Sequence, residues 1–195
     1  MNKHVLLCSG PTCVGKTTTL DAVIADPNNN AVGCFIGREM RRRHPPEYFD
    51  GAMASEKTEP EVRDIFMDVY VDFLKSDKQF LLCDGIPRLP SQVRFLNDVF
   101  ENTHMEAPRS LSVALVVFTL SDTVRAERMR QRGGTASEQA LAEARFHKDK
   151  AMLRDVYETI ETVCDWKHAW IDASGPPDAV QTELMLCMGM LHGPS

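Results

Sequence analysis

His4 to Thr17 reads HVLLCSGPTCVGKT, and the reading of this stretch decides the fold. His4 to Cys8 is an apolar run too short for a helix, and it stops at Ser9-Gly10-Pro11, as a buried strand would. Gly10 to Thr17 then fits the pattern G-x-x-x-x-G-K-S/T. Leu20, Val23 and Ile24 follow at helical spacing up to Asp26-Pro27, so the pattern has a strand before it and a helix after it, the context it needs. The two glycines allow backbone conformations closed to other residues, and such a loop turns its N–H groups inward around a phosphate at the positive end of a helix dipole. Lys16 would reach the terminal phosphates of a nucleotide and the Thr17 hydroxyl would ligate Mg²⁺. Chance alone produces the pattern in on the order of 1 in 100 chains of this length, and the flanking elements lower that further. The expected ATP phosphate-binding set is Gly10, Thr12, Cys13, Val14, Gly15, Lys16, Thr17 and Thr18.

Outward from this loop the chain alternates between short apolar runs and helical patterns. Ala31 to Ile36, Phe80 to Cys83, Leu111 to Leu120 and Trp166 to Ile171 read as four further strands. Helical spacing covers Glu61 to Leu74, Ser91 to Phe100, Thr123 to Arg132, Ser137 to Val163 (one helix or a pair) and about Asp178 to Leu191. In the last of these, Leu184, Met185, Leu186, Met188, Met190 and Leu191 read as core packing, as do Trp166 and Trp170 beside the fifth strand. Strands without polar alternation, separated by helices, predict a parallel sheet covered on both faces. The expected fold is a three-layer α/β P-loop NTPase domain spanning 1–195, with five parallel strands. Its core would be 1–36, 76–132 and 138–195, with a helical insertion at about 37–75 where no strand is found.

Composition narrows the function. Lys and Arg number 22 against 28 Asp and Glu, a net charge of −6, whereas a general nucleic-acid binder shows a basic excess. Six cysteines without a C-x-x-C pair are neither a disulfide framework nor a zinc pattern, which points to a reduced, cytoplasmic setting. Neither a signal peptide nor a membrane-length apolar run is found. The expectation is a monomer without a protein, membrane or nucleic-acid partner.

Phe80 to Cys83 ends in Asp84, and a carboxylate at the end of such a strand can hold Mg²⁺ through its water shell. The whole segment 80–92, FLLCDGIPRLPSQ, resembles the LLDGFPRTxxQ segment of adenylate kinases, within the nucleoside monophosphate kinase family. The resemblance runs along nearly the whole chain. Gly37-Arg38-Glu39-Met40-Arg41 is similar to the T-G-x-x-x-R element that opens the family's monophosphate-binding insertion. TLSDTVRAERMRQR, 119–132, resembles the helix that ends in R-x-x-x-R at the lid, and Ala144-Arg145-Phe146 stands where the family has Lys-Arg-Leu. WIDASGPPDAV, 170–180, resembles its closing strand and turn.

That resemblance implies roles. Arg41 and Arg88 would clamp the acceptor phosphate, with Gly37 and Gly85 beside them, and Gln92 would bond the adenine edge, favouring AMP. Arg128 would lie along ATP, and Arg132 and Arg145 would contact the transferring phosphoryl group; Lys16, Arg88, Arg128, Arg132 and Arg145 make the catalytic set. Mg²⁺ would sit between Thr17 and, through water, Asp84. Phosphoryl transfer needs positioning and charge stabilisation more than covalent help, and arginine forks supply both. Plainer readings stand beside these: Arg128, Arg130 and Arg132 also suit an exposed helix end, and Gln92 the first turn of a helix.

The chain departs from the family pattern at three places. Ile36 replaces the Thr of the T-G element, Ser55 to Pro60 holds no counterpart of the V-P-D segment, and the short lid, about 133–137, is Gly-Gly-Thr-Ala-Ser. The expected reaction is therefore ATP plus a nucleoside monophosphate, AMP first, by direct in-line transfer with Mg²⁺. Its rivals are a kinase of another (deoxy)nucleoside monophosphate or small metabolite, and a nucleotide-binding regulatory protein with little turnover.

Overall fold

A computed structural model describes residues 2–45, 48, 58–106, 111–131 and 136–192. The chain runs β1 (Lys3–Ser9), α1 (Lys16–Ala25), β2 (Ala31–Phe35), α2 (Ile36–Arg43), α3 (Glu59–Lys75), β3 (Phe80–Asp84), α4 (Pro90–Glu106), β4 (Leu111–Thr119), α5 (Asp122–Gln131), α6 (Ala136–Val163), β5 (Lys167–Asp172) and α7 (Pro177–His192). A short 3-10 turn, Pro27–Asn29, links α1 to β2. The five strands pair in parallel in the order β2-β3-β1-β4-β5.

Side chains alternate across this sheet, and both sets are buried. Val5 and Leu7 of β1 join Leu81, Cys83 and Leu115 on one face, under Phe66, Tyr70 and Phe73 of α3, Leu96 and Phe100 of α4, and Val156 and Ile160 of α6. Leu6 and Cys8 join Leu82, Val116 and Ile171 on the other face, under Leu20 and Val23 of α1 and Val180, Leu184 and Met188 of α7. Two covered faces explain the unbroken apolar runs of β1, β3 and β4, whose positions are nearly all buried, whereas the edge strand β5 is largely exposed.

Buried Lys3 ties the sheet to α3. Its ammonium donates to the carbonyls of Phe73, Ser76 and Lys78 at 3.0, 2.8 and 2.6 Å, in the last turn of α3 and the loop just after it, where helical bonding runs out.

Several elements differ from the sequence expectation. The arginine run at 38–43 belongs to a helix, α2, which buries only Ile36 and Met40, so its apolar periodicity is too sparse to read. Ser137 to Val163 is one helix, α6, and α4 runs on to Glu106. In α7, Leu184, Met188 and Leu191 are buried, whereas Met185, Leu186 and Met190 are exposed, because a helix laid on a sheet covers one stripe only. Trp166 packs on Phe100 with ring centroids 5.8 Å apart, but Trp170 is exposed, with Tyr157 edge-on at 6.0 Å. All six cysteines are free thiols. Among the described residues no helix is long and apolar enough to cross a membrane.

Candidate active site

The strand order puts β1 beside β3, and the chain leaves their carboxyl ends in different directions. Cys8 lies opposite Asp84 in register, so the Gly10–Thr17 loop and the Asp84–Arg88 segment emerge side by side. A crevice outside the carboxyl ends of neighbouring strands, where the topology switches, is where open α/β sheets bind ligands.

The loop has the geometry its glycines allow. Gly10 has φ 136°, and a Cβ there would stand 2.4 Å from the Phe118 carbonyl oxygen, so no side chain fits. Gly15, in the left-handed conformation at φ 97°, starts α1. Cys13 also has a positive φ, 69°. Lys16 is only 7% exposed, and its ammonium donates to the Gly10 and Pro11 carbonyls at 2.6 and 3.0 Å. Burial pushes the Lys16 pKa down from 10.5 to about 8, against the nearby Asp84 carboxylate, which raises it; Arg88 lowers it and Asp149 raises it. Lys16 thus feels three other charged groups of one site.

The Thr17 hydroxyl donates to Asp84 Oδ2. Two hard oxygens in contact at the rim of the loop would fit a Mg²⁺, which takes one or two protein oxygens and completes its shell with phosphate and water. Val14 is buried, while Thr18 is exposed on the first turn of α1.

On the other side of the loop, Thr12 donates its hydroxyl to Asp149 Oδ2, and Arg88 Nη1 lies 3.3 Å from Asp149 Oδ1. Asp149, on α6, is 8% exposed. Gln92 is 3% exposed, and its amide oxygen accepts the Arg88 backbone N–H at 2.7 Å. That bond occupies the Gln92 oxygen in shaping the Asp84–Arg88 turn, the task its place in the first turn of α4 suits. Gly37 and Gly85 adjoin, because a Cβ on Gly85 would lie 3.6 Å from the Gly37 amide nitrogen. Arg41 folds back toward Gly37, its guanidinium 3.4 Å from where a Cβ on that glycine would stand. Arg38 pairs with Asp21, and Arg42 and Arg43 pair with Glu39. Among the described residues no carboxylate pairs with Arg41.

Arg128 holds the back of the loop. Its guanidinium donates to Val14 O at 3.3 Å, Ala173 O at 2.7 Å and Gly175 O at 3.2 Å, joining the loop to the turn after β5. Arg132 lies outside the described residues. Arg145 stands on α6, and its side chain is outside them too.

Two side chains at or beside this site carry no signal in the sequence. Asp149 is one acidic residue of a long polar helix, and only the fold brings it to Thr12. Arg125, buried on α5, makes a two-pronged bond to Glu143 of α6 at 2.6 and 2.7 Å and lies 3.9 Å over the Phe146 ring. Its spacing among four neighbouring arginines does not set it apart.

No family model matches the chain, and no curated protein matches it. Solved structures do. A gluconokinase from Sinorhizobium meliloti 1021 aligns with TM-score 0.54 and 16% identity over 97% of this chain and 93% of its own. A tunicamycin resistance protein from Deinococcus radiodurans aligns with TM-score 0.57 and 18% identity over 96% of each chain. At these identities the likeness speaks for the fold, and the chain has the three-layer α/β fold with a five-stranded parallel sheet that these proteins share.

Proposed function

We propose that this chain is an ATP-dependent phosphotransferase that passes the γ-phosphoryl group to a small acceptor by direct in-line transfer. The observation that carries the reading is the loop at Gly10–Thr17: a buried lysine folded onto carbonyls of its own loop, with the Thr17–Asp84 oxygen pair at its rim. Bound phosphates offer Lys16 a stronger, charged partner than two neutral carbonyls. Mg²⁺ held at Thr17 and Asp84 would neutralise charge on the phosphate oxygens as the bond breaks. Arg88 stands at the same site, and Arg132 and Arg145 belong to the reading through the family resemblance. Closure of the insertion, about 37–75, and the lid, about 133–137, over the crevice would exclude water and so suppress wasteful hydrolysis.

The acceptor first indicated is a nucleoside monophosphate, AMP before others. The resemblance at 80–92 supports it, as does the gathering of Gly37, Gly85 and Arg41, with which no carboxylate among the described residues pairs. A second acceptor class, a small metabolite bearing a hydroxyl, is favoured by the contact of Arg88 with Asp149, which occupies part of the proposed phosphate clamp.

The test is ADP formation from Mg-ATP with each common ribo- and deoxyribonucleoside monophosphate, and with polyol and sugar-acid acceptors, supplied one at a time. Turnover with some acceptor, lowered on the order of 10²-fold or more in Lys16→Ala, is expected, since Lys16 stabilises the charge of the transferring group. Tight ATP binding without turnover on any acceptor would leave a nucleotide-binding protein instead.

A further inference from the structure

Asp149 is the charged group at this site that neither the nucleotide nor the metal accounts for. It is nearly buried, and the packing of α6 brings it to Thr12 of the phosphate loop. A strut for Thr12 does not need a charge; an amide oxygen would accept the same hydroxyl. Burying a carboxylate is costly unless it is well paired, and the pairing here is partial. Oδ2 is engaged by Thr12, and among the described residues Oδ1 has only the long 3.3 Å contact with Arg88, so it keeps lone-pair capacity. The Arg88–Asp149 pair carries no net charge, so it makes a poor clamp for a phosphate, which its carboxylate also repels. It is well matched to a hydroxyl, which needs one group to accept its proton and one to donate to its oxygen.

We infer that Asp149 is a catalytic residue that takes the proton of an acceptor hydroxyl, so that the acceptor group at this site is an alcohol. The inference rests on the phosphotransferase reading and deepens the second of its acceptor classes, the metabolite bearing a hydroxyl. In the step, the acceptor oxygen forms its bond to the γ-phosphorus while the bond from that phosphorus to the β–γ bridging oxygen breaks. The bridging electron pair leaves on ADP, and the hydroxyl proton moves to Asp149 Oδ1. Arg88 steadies the acceptor oxygen through the same contact that now holds it to the carboxylate.

Water is a hydroxyl acceptor that is always present, so acceptor-free ATP hydrolysis tests the inference before the natural acceptor is identified. Asp149→Asn is expected to slow hydrolysis, and transfer to any alcohol of a panel such as glycerol, D-gluconate and uridine, by on the order of 10²-fold or more. Its Mg-ATP affinity should stay within about threefold of wild type, because Asn keeps the bond from Thr12. Asp149→Ala should regain turnover on addition of formate, a proton acceptor small enough for the space left, which a structural role would not allow. The inference is overturned if Asp149→Asn turns over at the wild-type rate, if Asp149→Ala regains nothing with formate, or if wild type serves only monophosphates. In each of these cases the phosphotransferase reading survives. A wild-type protein that binds ATP and turns over nothing, water included, overturns both.

Discussion

At the scale of single residues, Lys16 makes the affinity for nucleotide depend on pH in a defined direction. Its ammonium is buried, and its pKa stands at about 8 in the free protein. Phosphate binding needs the charged form and raises the pKa again. Below pH 7 the lysine is already protonated and binding takes up nothing. Above pH 8 binding must first put a proton on Lys16, so Mg-ATP affinity should fall, by at most about tenfold per pH unit. Calorimetry in two buffers of different ionisation enthalpy checks this, because proton uptake approaching one per nucleotide should appear at pH 9 and vanish at pH 6.5. An affinity that is flat from pH 7 to 9.5 would show that Lys16 keeps its proton in the free protein. Lys16, Thr17 and Asp84 are legible in the sequence because each belongs to a local motif ending a strand. Asp149 and Arg125 are not, since their partners lie 137 and 18 residues away, as in Thr12–Asp149 and Arg125–Glu143, and only tertiary packing pairs them.

At the scale of elements, the strands and long helices follow from their apolar patterns, and the exceptions have a common cause. α2 buries two side chains and α7 turns three apolar ones to solvent, so in both the composition misstates the buried stripe. A further case is the seam between β1 and α3, which a lysine closes. Lys3 donates three hydrogen bonds to the carboxyl end of α3 and lies 4.7 Å over the Phe73 ring, where an apolar run would lead one to expect a solvated N-terminal residue. Lys3→Met keeps the apolar stem and removes the donor from the Phe73 carbonyl and from the half-buried Ser76 and Lys78 carbonyls. It should destabilise the protein by about 2 kcal/mol. Urea unfolding measures the change, and hydrogen exchange should locate it in the last turn of α3. A cost below about 0.5 kcal/mol would mean that water replaces the ammonium without loss.

At the scale of the whole molecule, the site joins elements from both faces of the sheet: α1 and the loop before it, the β3–α4 turn, and α6. A ligand that bridges them must stabilise the folded chain in proportion to its affinity, and Mg²⁺ should be part of that ligand. With Mg-ATP at a hundred times its Kd, the gain is about 2.7 kcal/mol, or about 5–10 °C in Tm for a chain of this size. ATP with a chelator should give clearly less, because the Thr17 and Asp84 oxygens then face phosphate with no cation between them. Asp84→Asn should bring the Mg-ATP shift down to the chelator value. The comparison belongs at pH 7, since Asp84 also helps keep Lys16 charged, and at higher pH its loss would weaken binding through the lysine as well. At pH 7 the two effects separate: a lost Mg²⁺ increment with the chelator-state shift unchanged assigns Asp84 to the metal. Equal loss with and without Mg²⁺ would assign it to Lys16 instead, and the Thr17–Asp84 pair would then be a brace for the loop rather than a metal seat.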